Sequence, residues 1–336
     1  MPHPPAWALA TLGHSCPTYL DALVSVAQPQ LATFTPQQLS STAWALATLD
    51  QRCPAFMAAL LAACLPHLSA FKPADLADIA WAAAVFGAQA APDTLLAVLD
   101  AAGTHLSLGD LDAGAMVKLH SLVMTMTDAG VRMGLPGPVR QRLLQECAAA
   151  WANVQADGVS GPGPACGAGS GAGQLAGPAA AKATLLRACS SLISDHVDDG
   201  AQVVTPNGED SLFGIDLALQ LPLGLFGPAS EPAPLPLDES GSAAAGVVRV
   251  ALVVDGPSLY TRSKPPRPLG AVALRNRFLA TRGWRVLELP LHELVRAGCD
   301  EEEKALAYLT DRLRALLIWC RRATVKVEAG KEAGGG

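Results

Sequence analysis

The sequence predicts two architectures in one chain, an α-helical repeat solenoid over residues 1–150 and a small α/β domain over 203–328. Three observations point there. Trp7, Trp44 and Trp81 recur every 37 residues inside near-identical apolar segments. Between Gly158 and Gly177 the composition shifts to Gly, Pro, Ala and Ser. Val247 to Val254 is a β-branched apolar run that ends at Asp255-Gly256-Pro257, a turn signal. A chain of 336 residues is long enough for both parts.

The Trp segments are Ala6-Trp-Ala-Leu-Ala-Thr-Leu12, Ala43-Trp-Ala-Leu-Ala-Thr-Leu49 and Ala80-Trp-Ala-Ala-Ala-Val-Phe86. The likeness extends past them: Cys16-Pro17 returns as Cys53-Pro54, Leu23 as Leu60, Leu31 as Leu68, and Phe34-Thr-Pro36 as Phe71-Lys-Pro73. A degenerate further copy without the Trp runs from Leu111 to Leu122. Each unit reads as two helices. In the second, Thr35 is placed as N-cap, Pro36 as first helical residue and Gln38 as reciprocal capping partner, with Leu39, Ala43, Leu46 and Ala47 on one apolar face. Pro54 opens the partner helix, where Met57, Leu60, Leu61, Cys64 and Leu68 recur at helical spacing. A single hairpin of this kind cannot bury its own apolar face, so neighbours are expected to stack. The Trp stripe is read as packing between units, with stacking on nucleobases as the alternative.

Residues 151–202 read as a Gly/Pro/Ala-rich linker holding one helix at about Ala179 to Leu192. Strand signals follow from residue 203. The first clear run is Leu212-Phe-Gly-Ile-Asp216-Leu-Ala-Leu219, and a Pro-rich insertion, 222–246, separates it from Val247–Val254. Ala271 to Arg282 is helical with Ala271, Leu274 and Phe278 inward, and Trp284 to Leu289 is a strand closed by Pro290. Asp300 and Glu303 form a capping box for a last helix carrying Leu306, Leu309, Leu313, Leu316 and Leu317 on one face. The tail, 329–336, is expected to be disordered. Strands interleaved with helices imply an α/β domain.

Half of the residues are hydrophobic, yet only 5% are aromatic and 16% charged. The longest apolar runs, such as Ala55 to Leu65, fall short of the ~20 residues that cross a bilayer, which argues against membrane insertion. Eight cysteines show no CxxC pair and no zinc-finger spacing, so they read as small buried hydrophobes in a reducing compartment. His292-Glu293 lacks a second His at helical spacing, and there is no phosphate-binding loop and no Gly-x-Ser-x-Gly elbow. No metal site and no cofactor are expected. The net charge of -6 hides a division along the chain. Residues 1–150 stand at -4, 151–245 at -8 and the tail at 0, while 246–328 carry 15 Lys/Arg against 9 Asp/Glu, or +6. Only that segment favours a polyanion.

The order Gly214-Ile-Asp216-Leu-Ala, Val250-Ala-Leu-Val-Val-Asp255-Gly-Pro-Ser258, Pro268-Leu-Gly270, a basic helix, Gly283-Trp284-Arg-Val and Lys304-Ala-Leu-Ala-Tyr-Leu309 resembles the RAP domain, over about residues 210 to 318. The Trp-bearing units, over 4 to 122, resemble the octatricopeptide or FAST-type helical repeats found upstream of it in organellar RNA proteins of the green-algal kind. The resemblance implies a restriction-endonuclease-like fold and single-stranded RNA as partner. It also implies a role in processing, stability or translation of chloroplast or mitochondrial transcripts. Because the first unit opens inside its first helix, further repeats and a transit peptide are expected upstream of residue 1.

Nucleases related to that fold set an Asp on one strand and Glu-x-Asp or Glu-x-Lys on the next, since convergent carboxylates hold Mg²⁺ beside the scissile phosphate. Position by position, Asp216 matches the first acid and Asp255 the last, but Val253 stands where the middle Glu belongs. Valine cannot ligate a metal. The resemblance therefore implies a vestigial catalytic pair, Asp216 and Asp255, in a non-catalytic RNA-binding factor, with a Mg²⁺-dependent endoribonuclease as one alternative. Leu259 and Leu294 depart from the family as well, standing where His and an aromatic are common. Asp255 reads equally as the cap of an Asp-Gly-Pro turn, and Asp216 as a strand-face carboxylate held by a neighbouring amide.

The candidate RNA contacts are cations. Arg262, Lys264 and Arg267 follow the turn, Arg275 and Arg282 are spaced i, i+7 on one helical face, and Arg277 and Arg285 lie nearby, with no Asp or Glu from 256 to 287. Lys and Arg neutralise phosphates and release counterions. An ordinary solvated helix face is the alternative. Any sequence selectivity would come from the repeats reading unpaired bases. The repeats also offer surface for protein partners, and a protein-interaction scaffold is the remaining alternative function.

Overall fold

In the computed structural model, residues 5–87, 92–131, 137–156, 176–206, 213–225 and 246–333 are described. The middle of the expected linker (157–175), most of the expected Pro-rich insertion (226–245) and the last residues of the expected tail (334–336) lie outside the described residues. The described chain is mostly helical, with one small mixed sheet. It divides into two compact units: residues 1–171 with 258–278, and residues 172–257 with 279–336.

The first unit contains α1 (Pro5–Leu12), α2 (Pro17–Ala27), α3 (Pro36–Thr48), α4 (Pro54–Cys64), α5 (Pro73–Val85), α6 (Pro92–Leu108), α7 (Ala113–Asp128) and α8 (Pro138–Ala156). Odd-numbered helices pack in sequence, α1 on α3, α3 on α5 and α5 on α7, and α8 packs on both α6 and α7. Short 3-10 helices at Gln28–Thr33 and Leu65–Ala70 extend α2 and α4. Proline opens α2, α3, α4 and α5, where its missing N–H costs nothing. Thr35 caps α3 as expected: its hydroxyl accepts from the Gln38 N–H, and Gln38 Oε1 accepts from the Thr35 N–H at 2.9 Å.

The 37-residue pattern sets helix ends as well as helix faces. Gly13, Asp50 and Gly87, one repeat apart, all take positive φ (67°, 47° and 81°) just past α1, α3 and α5, and Gly130 does the same (69°) past α7. The chain then folds back, with the His14 N–H on Leu9 O, the Gln51 N–H on Leu46 O and the Val131 N–H on Met126 O, each at 2.9 Å. These bonds close a left-handed C-terminal cap and satisfy carbonyls that a bare helix end leaves open. Within α5 every residue from Ile79 to Val85 is buried, because α3, α6 and α7 all pack against it. Trp44 and Trp81 are buried in this core and Trp7 is half-buried. Trp44 and Trp81 therefore serve packing and present no face to a ligand.

In the second unit, β1 (Gln202–Val204), β2 (Leu217–Pro222), β3 (Val247–Asp255) and β4 (Trp284–Pro290) form a sheet in the order β1-β2-β3-β4. The first two pairings are antiparallel and β3 with β4 is parallel. Leu219, Val250 and Leu252 share one face with Leu287 and Leu289, and that face is buried with α9 (Ala176–Asp195), α11 (Leu291–Ala297) and α12 (Glu302–Ala333). Helix α10 (Gly270–Thr281) lies between β3 and β4 in the chain, and its residues up to Phe278 belong to the first unit.

Several expectations are corrected. Of the strand expected at Leu212–Leu219, Leu212 lies outside the described residues and the strand itself starts at Leu217, after the positive φ (65°) of Gly214. Helix α8 continues to Ala156, inside the span expected to be linker. Helix α11 had no expected counterpart. Helix α12 begins at Glu302 and runs to Ala333, well into the tail expected to be disordered. Among the described residues no helix is long and apolar enough to cross a membrane.

Burial at Trp81 predicts that Trp81→Ala lowers the stability of the full chain by about 3–5 kcal/mol, and that Trp7→Ala, at a half-buried position, lowers it by about 1–2 kcal/mol. Urea unfolding followed by circular dichroism measures both.

Candidate nucleic-acid interface

The two acids come first. Asp216 precedes β2, and both of its carboxylate oxygens are engaged: Oδ1 pairs with Lys182 Nζ at 2.6 Å, and Oδ2 accepts the Val254 N–H at 2.6 Å. The carboxylate thus ties α9 and β3 to the start of β2. Asp255 ends β3 opposite Pro290 and is 2% exposed. Val253, at the position of the missing Glu, is buried as well. Among the described residues no group of three or more His, Cys, Asp or Glu is placed to hold a metal ion. A divalent cation would have to compete with Lys182 for Oδ1 and with the Val254 amide for Oδ2, and Val253 adds no oxygen, so this donor set is poor for Mg²⁺.

The cysteines expected to be buried are so at Cys64, Cys147, Cys189, Cys299 and Cys320, whereas Cys53 is half-buried and Cys16 is exposed. Burial pushes Cys53 up to about 11 and Cys64, Cys147 and Cys189 each up to about 12, so none of the four is a thiolate near neutral pH.

The cations fall into two groups, one in each unit. In the first unit, residues 258–278 run along the C-terminal ends of the odd-numbered helices. The Arg262 N–H donates to Gly13 O at 2.7 Å, and Ser263 Oγ both accepts the Ser15 N–H (2.8 Å) and donates to Ser15 O (2.9 Å). At the end of α3, Gly270 lies so close to the backbone that an added Cβ would sit 1.9 Å from Ala47 O. At the end of α5, the Arg277 guanidinium donates to Val85 O at 2.9 Å and to Ala84 O, and it reaches Thr125 Oγ1 of α7 at 3.4 Å. Burial works hardest against the Arg277 charge, with Arg52 adding to the effect, while Asp128 and Asp50 partly restore it.

Arg277 therefore acts as a helix-end ligand, with three of its five N–H donors turned to Val85 O, Ala84 O and Thr125 Oγ1. Arg275 is half-buried and donates to Asn276 Oδ1. Arg262, Lys264 and Arg267 are exposed on the loop before α10, a loop braced by the Thr261 N–H on Arg267 O and the Leu269 N–H on Leu259 O.

In the second unit three arginines lie over aromatic rings where β3 and β4 begin. The Arg249 guanidinium is 4.0 Å from the Trp284 ring centre, Arg282 is 5.1 Å from Phe213, and Arg285 is 5.4 Å from Trp319. Arg249 also reaches Arg282 O at 3.3 Å. A ring beneath a guanidinium fixes its plane and engages its face, whereas a phosphate oxygen is met by the N–H groups of its edge, so the two contacts are compatible.

Residues 252–312 match the RAP domain family. The RAP domain is generally associated with RNA binding. The match covers β3 from Leu252, α10, β4, α11 and the first part of α12. Among curated proteins none matches the chain. Inside the RAP segment, Tyr308 and Arg312 both donate to Glu293 Oε2, which ties α12 to α11. Arg249, Phe213 and Trp319 flank the segment and were missed in the sequence. Trp319 did leave a signal, since it stands off the buried stripe Ala305, Leu309, Leu313, Leu317 and Cys320 of its own helix.

The RAP segment's hold on the helix ends predicts that Gly270→Ala destabilises the chain by about 1–3 kcal/mol, since backbone rather than a side-chain tip must move. Arg277→Met is expected to cost about 1.5–3 kcal/mol, and Lys264→Met to stay within about 0.5 kcal/mol. Thermal unfolding of the three variants separates them.

Proposed function

We propose that this chain is a non-catalytic RNA-binding factor whose helical units stack as a solenoid of octatricopeptide or FAST type and whose RAP segment supplies the phosphate contacts. The observation that carries the reading is the set of arginines, fixed on aromatic rings or exposed on the braced loop, within and beside a RAP match that has no acid between 256 and 287. A restriction-endonuclease-like fold for the RAP part, single-stranded RNA as ligand, and a place in processing, stability or translation of chloroplast or mitochondrial transcripts follow from the family resemblance. The engagement of both Asp216 oxygens favours binding over hydrolysis.

Within this reading the cations divide by role. Lys264 and Arg267 in the first unit, and Arg249, Arg282 and Arg285 in the second, contact phosphates. Arg277 does not. The helical units remain available for unpaired bases or for a protein partner, with Trp44 and Trp81 excluded as stacking surfaces by their burial.

Phosphate binding has a salt signature. Binding of a single-stranded RNA is expected to weaken linearly in log–log form as salt rises, and the double variant Lys264→Ala/Arg267→Ala lowers that slope by about 1.4, or ~0.7 for each phosphate no longer neutralised. Arg277→Met leaves the slope unchanged in the folded fraction. Affinity that ignores both salt and these substitutions would reject the RNA reading in favour of a protein scaffold.

A further inference from the structure

We infer that the second unit carries a base-stacking platform at Trp319, outside the RAP match, which takes an unpaired nucleobase while Arg285 holds an adjoining phosphate. The platform rests on the proposed RNA reading and deepens it. Helix α12 buries Ala305, Leu309, Leu313, Leu317 and Cys320 in the core of its unit, and an indole at 319 adds nothing to that stripe. Trp319 is instead 56% exposed, the largest side chain among the exposed apolar residues described.

An exposed indole alone would mean little, because scattered apolar residues are normal on protein surfaces. Arg285 changes its meaning. The guanidinium from β4 lies 5.4 Å from the ring centre while the indole stays 56% exposed, so ring surface beside the cation remains accessible to a second flat group. Nucleobases are flat and polarisable, and stacking on an aromatic ring is available to every base whatever its sequence.

Charge decides between a base and an apolar protein surface. Arg249 and Arg282 stand at the same end of the sheet, where β3 and β4 begin, each held over a ring of its own; the register sets Arg249 and Trp284 on the face opposite Arg285, so a strand of phosphates meets both by passing round that end of the sheet. The segment 246–328 is also the one part of the chain with a cationic excess. A ligand that brings planar groups spaced along a chain of phosphates fits both features. A duplex does not, because its bases are already stacked on each other. The platform thus assigns this end of the unit to single strands.

The test uses the full chain and three labelled probes followed by fluorescence anisotropy: oligoadenylate, a strand of the same length built from abasic ribose phosphates, and a duplex RNA. Trp319→Ala is expected to weaken oligoadenylate binding by about 5- to 150-fold, the range for loss of one base stack. It should leave the abasic strand unaffected, and Trp319→Phe should restore most of the affinity. An exposed position lets the variants fold, which circular dichroism verifies.

If Trp319→Ala changes oligoadenylate affinity by less than about twofold while Arg249→Ala/Arg285→Ala weakens it, the platform is wrong and the RNA reading stands. If the native chain binds none of the three probes with salt dependence, the RNA reading falls and the platform with it. If Trp319→Ala alters only self-association in sedimentation, the indole belongs to a protein interface and the inference is overturned.

Discussion

The guanidinium of Arg277 on the carbonyls of Ala84 and Val85 is the contact around which the first unit is organised. A helix leaves its last carbonyls unpaired and carries partial negative charge at that end, so a cation there is doubly favoured. Helix α5 closes through Gly87, whose N–H donates to Ala84 O, and Val85 O faces a side chain 192 residues further along the chain. The same segment meets the end of α1 through Arg262 and Ser263, and the end of α3 through Gly270. A ladder of equivalent helix ends, at Gly13, Asp50 and Gly87, therefore serves as the seat for residues 258–278.

That arrangement makes part of the RAP segment structural. Residues 258–278 are bound by hydrogen bonds and close backbone approach to the helical array, while the strands before and after them belong to the second unit. Contacts of such large sequence separation form late, because the chain between them must first lose its freedom.

Arginine serves three purposes within one short stretch of chain. Arg277 is consumed by helix ends, Arg249 and Arg285 are parked over rings, and Arg262 and Arg267 stand in solvent on a braced loop. The chemistry is the same in each case, a planar fork of donors around a delocalised charge. What differs is what the fork faces. Asp216 is a comparable case among the acids: its carboxylate oxygens engage Lys182 and the Val254 amide.

Periodicity and capping chemistry were legible because they act over a few residues. The Thr35–Gln38 box, the proline starts, the 37-residue spacing, β3, α10 and β4 could all be read from neighbours in sequence. The true start of β2 was hidden by the apolar residues on both sides of Gly214, and α11 and the long reach of α12 left no separate signal. The sequence by itself determined the helical units, the paired strands and a cationic RAP segment, since hydrophobic spacing and net charge are properties of the string. Only the tertiary structure decided which arginines meet helix ends and which meet rings, and that Trp319 is exposed, because burial, hydrogen-bond partners and ring contacts depend on what packs there from distant parts of the chain.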